Sequence, residues 1–324
     1  ERLDVALHFG ENPITLNAYD FQGALVGTKS ITITSTLPAP SAREFLRVTE
    51  LHYHPAPPNG AELDVTSDKD DFEFIELCNL SSNPLEVGGC SFVAGIDFLF
   101  PLNTRLAAGE RIVVVRNIAA FQSRYGAAHR IAGEYGPADS LNNNGELITL
   151  LDATGALIQS FAYNDAATWP GDADGKGHSL VPIAPHLSLN RDLPSNWRAS
   201  LIPGGNPGSD DATVFAGLPA ADADNDGIAA FLEYALGTSD FLSADGPGAV
   251  SAEPTFLLRF TRRVTADDVV YVLEKSNDLA TWNAVPSELV SRVQLGSLLH
   301  ETHRLAPPAN GEAPLFVRLR VMAR

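Results

Sequence analysis

Cysteine is almost missing from this chain of 324 residues, which has two, Cys78 and Cys90. Two cysteines cannot staple a small scaffold, and theirs is not a metal-cluster spacing. Methionine occurs once, at position 322, and the sequence opens on Glu1, so we expect a piece of a longer chain separated from any leader. No apolar run approaches the roughly 20 residues of a membrane span, so no membrane insertion is expected. Positive charge is short: 22 Lys and Arg stand against 40 Asp and Glu, a formal net charge of −18. Nucleic-acid affinity comes largely from basic groups displacing counterions, so no nucleic-acid partner is expected. Anionic lipid surfaces are disfavoured in the same way, and divalent cations are favoured. The same charge also serves plain solubility. Hydrophobic residues make up 44% of the chain. That is enough for packed cores, at a length that implies two or three domains.

Period-two alternation dominates the pattern. Strands are expected at residues 4–7, 14–20 and 29–34, with turns at residues 10–13 and at Gly23. This stretch resembles the end of a bacterial immunoglobulin-like domain, carried by Asn12, Ile14, Thr15, Ala18, Asp20 and Gly23. Residues 37–41 read as a proline linker. Beyond it, short strands are expected at 72–77, 85–87 and 98–100. Residues 111–115 form a β-branched run of the kind a fully buried strand shows. Asn117 is placed to cap a short helix over 118–125 that Gly126 stops. The strands 146–151 and 157–163 flank Asp152-Ala153-Thr154-Gly155, a hairpin signal. If Ile75 and Leu77 face the core, Cys78 faces away, and Cys90 beside Phe92 faces in. Two separate thiols, at least one buried, are expected, although the turn at Ser81–Pro84 leaves a pair open.

Residues 45–181 resemble the bacterial lamin-tail domain family. The resemblance rests on Leu46-Arg47-Val48-Thr49-Glu50-Leu51-His52-Tyr53-His54-Pro55 and on Asp71-Phe72-Glu73-Phe74-Ile75-Glu76-Leu77-Cys78-Asn79. Leu106-Ala107-Ala108-Gly109-Glu110, Asn144-Gly145-Glu146, the Asp152–Gly155 turn and Asp174-Gly175-Lys176-Gly177-His178-Ser179-Leu180 continue it in order. The family usually carries an aromatic residue, often Trp, where Cys90 stands. The resemblance implies an immunoglobulin-like sandwich without catalytic residues, used as a repeated module in secreted or surface proteins.

One motif carries chemistry. Asp222, Asp224, Asp226, Gly227, Ile228 and Glu233 occupy positions 1, 3, 5, 6, 7 and 12 of an EF-hand-type calcium loop. Alternating carboxylates on a tight loop repel until a hard cation with six to eight oxygen ligands gathers them. Gly227 permits the sharp bend, Ile228 offers a backbone carbonyl and Glu233 closes the shell from a helix over 228–237. Residues 215–219 break any entering helix. The loop therefore resembles dockerin-like or thrombospondin-type-3-like loops more than a paired sensor.

Other clusters read as ordinary surface chemistry. Asp68, Asp70 and Asp71 suggest a solvated loop, and Asp172 and Asp174 a turn. His52 and His54 share a strand face but lack a third ligand. His300 and His303 read as surface residues, without the spacing of a zinc protease. No nucleophile setting stands out. Residues 182–221 read as irregular. Strands resume at 256–263, 268–275 and 316–321, with a weaker one at 298–303. The stretch from Tyr271 to Trp282 looks like a terminal module found after such loops, with Trp282 as a core plug.

The expected fold is mainly β: an immunoglobulin-like lamin-tail sandwich plus a second small β domain, joined by a calcium-loop helix. The expected domains are 1–40, 41–208, 209–250 and 251–324. The expected function is a non-catalytic, extracellular structural or adhesion array that meets a protein or glycan partner, with structural calcium as its cofactor. The rival reading is a carbohydrate- or substrate-binding tail of a larger secreted enzyme. In the first reading, the loop stiffens the hinge between the sandwiches.

Overall fold

A computed structural model describes residues 10–35, 41–136, 139–245, 251–252, 257–306 and 316–324. The strand expected at 4–7 and most of the 37–41 linker lie outside these residues. Among the described residues, no helix is long and apolar enough to cross a membrane.

Strands β1 (Gly10–Tyr19) and β2 (Leu25–Ser35) form an isolated antiparallel hairpin. Asp20 builds its turn by accepting the Gln22 and Ala24 N–H groups at 2.9 Å each. The turn expected at 10–13 is instead strand, with Pro13 opposite Thr32.

Ser41 caps the short helix α1 (Ala42–Phe45). The central body then runs through β3 (Leu46–His52), β4 (Phe74–Asn79), β5 (Leu85–Glu86), β6 (Ser91–Ala94), β7 (Phe98–Leu99), β8 (Arg105–Leu106), β9 (Arg111–Val115), helix α2 (Ile118–Tyr125), β10 (Ile131–Glu134), β11 (Leu147–Leu151), β12 (Leu157–Ala162), β13 (Leu180–Pro182) and β14 (Trp197–Ala199). A six-stranded sheet, β10-β9-β4-β3-β13-β14, faces a four-stranded one, β12-β11-β6-β7. Val48, Leu51, Ile75, Leu77, Ile112 and Val114 from the first meet Phe92, Ile148, Leu150 and Phe161 from the second in one core. Trp197, fully buried, packs at a tilt against Phe161 at 5.1 Å and Trp169 at 6.1 Å between ring centres. This is a mainly β, immunoglobulin-like sandwich with a second β region after it.

The six-stranded sheet is covered on its outer face as well. Phe74, Val113 and Val115 pack against Phe121, and Tyr125 joins them from α2. Residues 204–211 cover the neighbouring part, where the Gly208 N–H donates to Glu76 Oε2 at 2.5 Å. Burial on both sides explains the unbroken apolar run of β9. It also corrects the expectation that Cys78 faces solvent: both cysteines are buried and free. Cys78 donates to the Gly109 carbonyl, and burial pushes the Cys90 thiol up to about 11. The strand expected from Phe72 begins at Phe74, because Asp68 accepts the Asp70 N–H and starts a 3-10 turn over Lys69–Phe72. The stretch expected to be irregular, 182–221, supplies β14 and the last residue of β13.

Helix α3 (Ala230–Leu236) and strands β15 (Ser251–Ala252), β16 (Leu257–Arg263), β17 (Val269–Ser276), β18 (Asn283–Ala284), β19 (Ser287–Leu295), β20 (Leu298–Leu305) and β21 (Phe316–Ala323) complete the chain. Sheets β15-β16-β20-β19 and β18-β17-β21 enclose Leu258, Phe260, Leu273 and Leu305. Trp282 is not the core plug expected. It is half-buried, and the Arg318 guanidinium lies 4.1 Å from its ring centre.

The two bodies meet through buried charge. Arg198 on β14 is 1% exposed and donates through Nε to Asp267 at 2.9 Å and through Nη2 to Asp211 at 2.5 Å. Arg292 on β19 donates to the Pro194 and Trp197 carbonyls at 3.1 and 3.2 Å.

Candidate metal centre

The loop at 222–229 is built by its own carboxylates. Asp222 accepts the Asp226 N–H at 3.1 Å and the Gly227 N–H at 3.0 Å. Asp226 accepts the Ile228 N–H at 2.8 Å. Each short side chain bonds backbone a few residues on, the usual chemistry of an Asx turn. Gly227 sits at φ +90°, and Asn225 also takes a positive φ, +59°. The bend brings Asp222, Asp224 and Asp226 together, with carboxylate oxygens within 4.8 Å of one another.

Helix α3 delivers the fourth acid. It begins at Ala230, two residues later than expected, and ends at Gly237 in the left-handed region. Glu233 is fully buried. Its Oε1 accepts from the Thr238 hydroxyl at 3.2 Å, and its Oε2 has no protein partner. Asp224 Oδ2 is likewise buried and unpartnered. Burial raises the Glu233 carboxyl above its ordinary range, and Asp224, Asp226 and Asp240 raise it further. Asp224 is raised by burial and by Asp226, Asp222 and Asp240.

Asp240 is a neighbouring acid that sequence reasoning did not single out, close enough to act on Asp224 and Glu233. It lies beyond the helix stop and accepts the Ala223 N–H at 3.0 Å, which folds its carboxyl back to the loop. The signal available was an acid just past Gly237, at the far end of a seven-residue helix. Ile228 is half-buried on the last bend before α3.

No helix enters the loop, and aromatic packing replaces one. Phe215 meets Phe231 at 5.2 Å and Tyr234 at 5.4 Å. The Phe231 and Ala230 N–H groups donate to the Pro219 and Ala221 carbonyls at 3.2 and 2.8 Å. Asp222, Asp224 and Asp226 converge, and the acids around them, Glu233 and Asp240, add only further carboxylate oxygens; oxygen donors of this kind suit calcium or magnesium better than zinc.

The other acidic clusters are spent on protein partners. Arg116 reaches Asp68 and Asp70, and Thr66 donates to Asp71 at 2.6 Å. Asp172 holds Lys176 and Asp174 holds His54. His52 is fully buried against Phe74. His300 is exposed, but His303 is half-buried, contrary to expectation. His303 stands 3.1 Å from the Ser287 hydroxyl and 3.2 Å from Glu301. This resembles a hydrolase triad in composition only. Arg262 and Arg292 both bind Glu301 and hold its carboxyl far below the usual range, so its charge is already neutralised. The imidazole nitrogens also run in the opposite sense, with Nδ1 toward the serine.

No curated protein and no solved structure matches the chain. Residues 39–165, which cover α1 to β12, match the family model of the Lamin Tail Domain, an immunoglobulin-like and non-catalytic domain family.

Proposed function

We propose that the chain is part of a non-catalytic extracellular array that serves as a structural or adhesive interaction module, with a structural calcium ion held by residues 222–240. Its modules would be the hairpin at the start, the sandwich of 41–208, the loop and helix of 209–250 and the β body of 251–324. Asp222, Asp224, Asp226 and Glu233 would supply carboxylates and Ile228 its carbonyl, with Asp240 as a further acid. The observation that carries this reading is the buried, unpartnered Oε2 of Glu233 beside three converging aspartates. An ionised carboxylate without a partner is expensive to bury, and a dication removes that cost. Because α3 packs through Ala235 against Ala266 and Val269, the ion would brace the C-terminal body rather than a free hinge.

Calorimetric titration of the full chain tests this. Micromolar to millimolar calcium should bind at one site and raise the melting temperature, and Glu233→Gln should abolish both effects. Absence of heat and of any thermal shift at saturating calcium sinks the reading.

The half-buried Trp282 keeps the rival reading in play, since a tryptophan at the surface can stack on a sugar ring. A glycan array probed with the native chain and with Trp282→Ala decides between them. Glycan binding lost in the variant would favour a carbohydrate-binding tail of a secreted enzyme.

A further inference from the structure

The C-terminal body holds a cavity of about 460 Å³, within the range of small-molecule sites. Its walls come from β16, β17, β19 and β20, and Ile183, Ser195 and Asn196 of the sandwich reach its rim. The apolar part combines Leu273, Val285 and Leu289 with a near-parallel series of rings. Phe260 lies 15° from the plane of His303 at 5.4 Å and 23° from that of Tyr271 at 6.0 Å.

Charge on these walls does not balance. The chain carries a formal net charge of −18, yet the cavity is lined by Arg262, Arg292 and Arg324 against one acid, Glu301. Arg324 is answered from behind by Asp267 and Asp268, and it donates to the Asp267 and Val269 carbonyls. Arg262 and Arg292 share a single oxygen, Glu301 Oε1, at 3.1 and 3.0 Å. His303 lies 3.2 Å from the other oxygen of Glu301. Arg292 turns its Nη1 to the Pro194 and Trp197 carbonyls, which are neutral. Asp267 also acts on Arg262, but both its oxygens already accept from Arg198 Nε, at 2.9 and 3.1 Å. One carboxylate therefore serves two guanidiniums. Burial lowers Arg292 and Arg324 from the ordinary arginine range, and the charge of Arg262 lowers both further.

Arg262 has donors to spare. Alternation along β16 turns it to the same inner face as Leu258 and Phe260, and the residue is 6% exposed. A guanidinium carries donors on every nitrogen. Among the described residues only Glu301 accepts from this one, through Nη2. Its Nε and Nη1 have no protein partner, and neither is sealed off by protein. The 7% of the side chain that stays accessible faces the cavity it lines. A buried charge answered this thinly is costly. What the cavity offers a ligand is a cationic donor set into an aromatic wall.

We propose that this cavity binds a small organic anion, a monocarboxylate on a flat apolar body, whose oxygens accept from the unshared N–H groups of Arg262. The carboxylate supplies the countercharge that Glu301 divides between two partners. The ring displaces water from beside Phe260 and Tyr271. One charge is in excess and the neighbouring wall is apolar, so a monoanion fits where a hydrated dianion such as phosphate does not. With rim residues drawn from the sandwich, an occupant would touch both bodies.

The test uses the full chain and a matched set of probes: phenylacetate, phenylacetamide and phenethylamine, measured by calorimetry and by ligand-observed NMR. The expected result is phenylacetate binding at least about tenfold tighter than the amide, with no amine binding, since charge-assisted bonds outweigh neutral ones. Arg262→Gln should remove the preference for the acid. Ser195 is exposed, so Ser195→Trp should crowd the cavity from its rim and abolish binding at an unchanged melting temperature. That variant keeps the test decisive if Arg262→Gln fails to fold. Equal affinity for acid and amide, acid binding unaffected by Ser195→Trp, or no binding by any probe overturns the proposal.

Discussion

Glu73 shows what a single buried acid does to this molecule. It is fully buried; its Oε2 accepts from the Tyr135 hydroxyl and the Leu141 N–H at 2.9 Å each, and its Oε1 has no protein partner. Burial pushes its carboxyl up to about 8. The folded state therefore holds a proton that the unfolded chain releases near 4.5. Stability from this group is intact below the unfolded value and falls as pH rises through the window up to about 8, by at most about 1.4 kcal/mol per pH unit. Glu73→Gln should flatten that decline, measured by urea unfolding at several pH values across the window. A decline of unchanged slope would remove Glu73 as its cause. The same burial at Glu233 has a different remedy if calcium binds: Asp240→Asn should weaken calcium severalfold while Glu233→Gln abolishes it. An unchanged affinity in Asp240→Asn would leave that residue out of the shell. The convergence of Asp222, Asp224 and Asp226 was legible in the sequence because a loop encodes its own geometry within a few positions. Asp240 was not, since its approach depends on where α3 ends.

Elements with a local cause were the readable ones. The hairpin of β11 and β12 pairs Leu147 with Ala162 around Asp152, whose side chain accepts the Thr154 and Ala156 N–H groups. Helix α2 starts where Asn117 accepts the Ala120 N–H and stops at Gly126, as its capping residues indicate. Strands β13 and β14 have three residues each and sit among prolines and glycines. β13 joins the sheet at Leu51, far away along the chain, and β14 pairs only with β13, so no local pattern announces them. Cys78 was misplaced for a related reason: what covers a strand's second face is decided by distant segments. Trp197 on β14 nevertheless anchors the core, and Trp197→Ala should cost about 3–5 kcal/mol in chemical unfolding. A loss under about 1 kcal/mol would mean the core closes over the gap. Gly237 ends α3 at φ +87°, where a Cβ would run into Leu298. Gly237→Ala should lower the melting temperature and loosen any calcium binding with it, since Thr238 and Asp240 follow directly. Unaltered melting would show that the bend tolerates a side chain.

At the scale of the molecule, the joint between the two bodies is an ion cluster, not a linker. Arg198 is nearly inaccessible and remains charged, because Asp267 and Asp211 raise its affinity for its proton. Removing one member of a buried cluster strands the others, at about 3–5 kcal/mol. Arg198→Ala should therefore split thermal unfolding into two steps in differential scanning calorimetry, and a single cooperative step in the variant would show that the joint rests elsewhere. A guanidinium gripped from two directions resists twist as well as separation. Under load, such a chain would transmit force like a strut, with the sandwich and the body behind it turning together, where beads on a string would swivel apart.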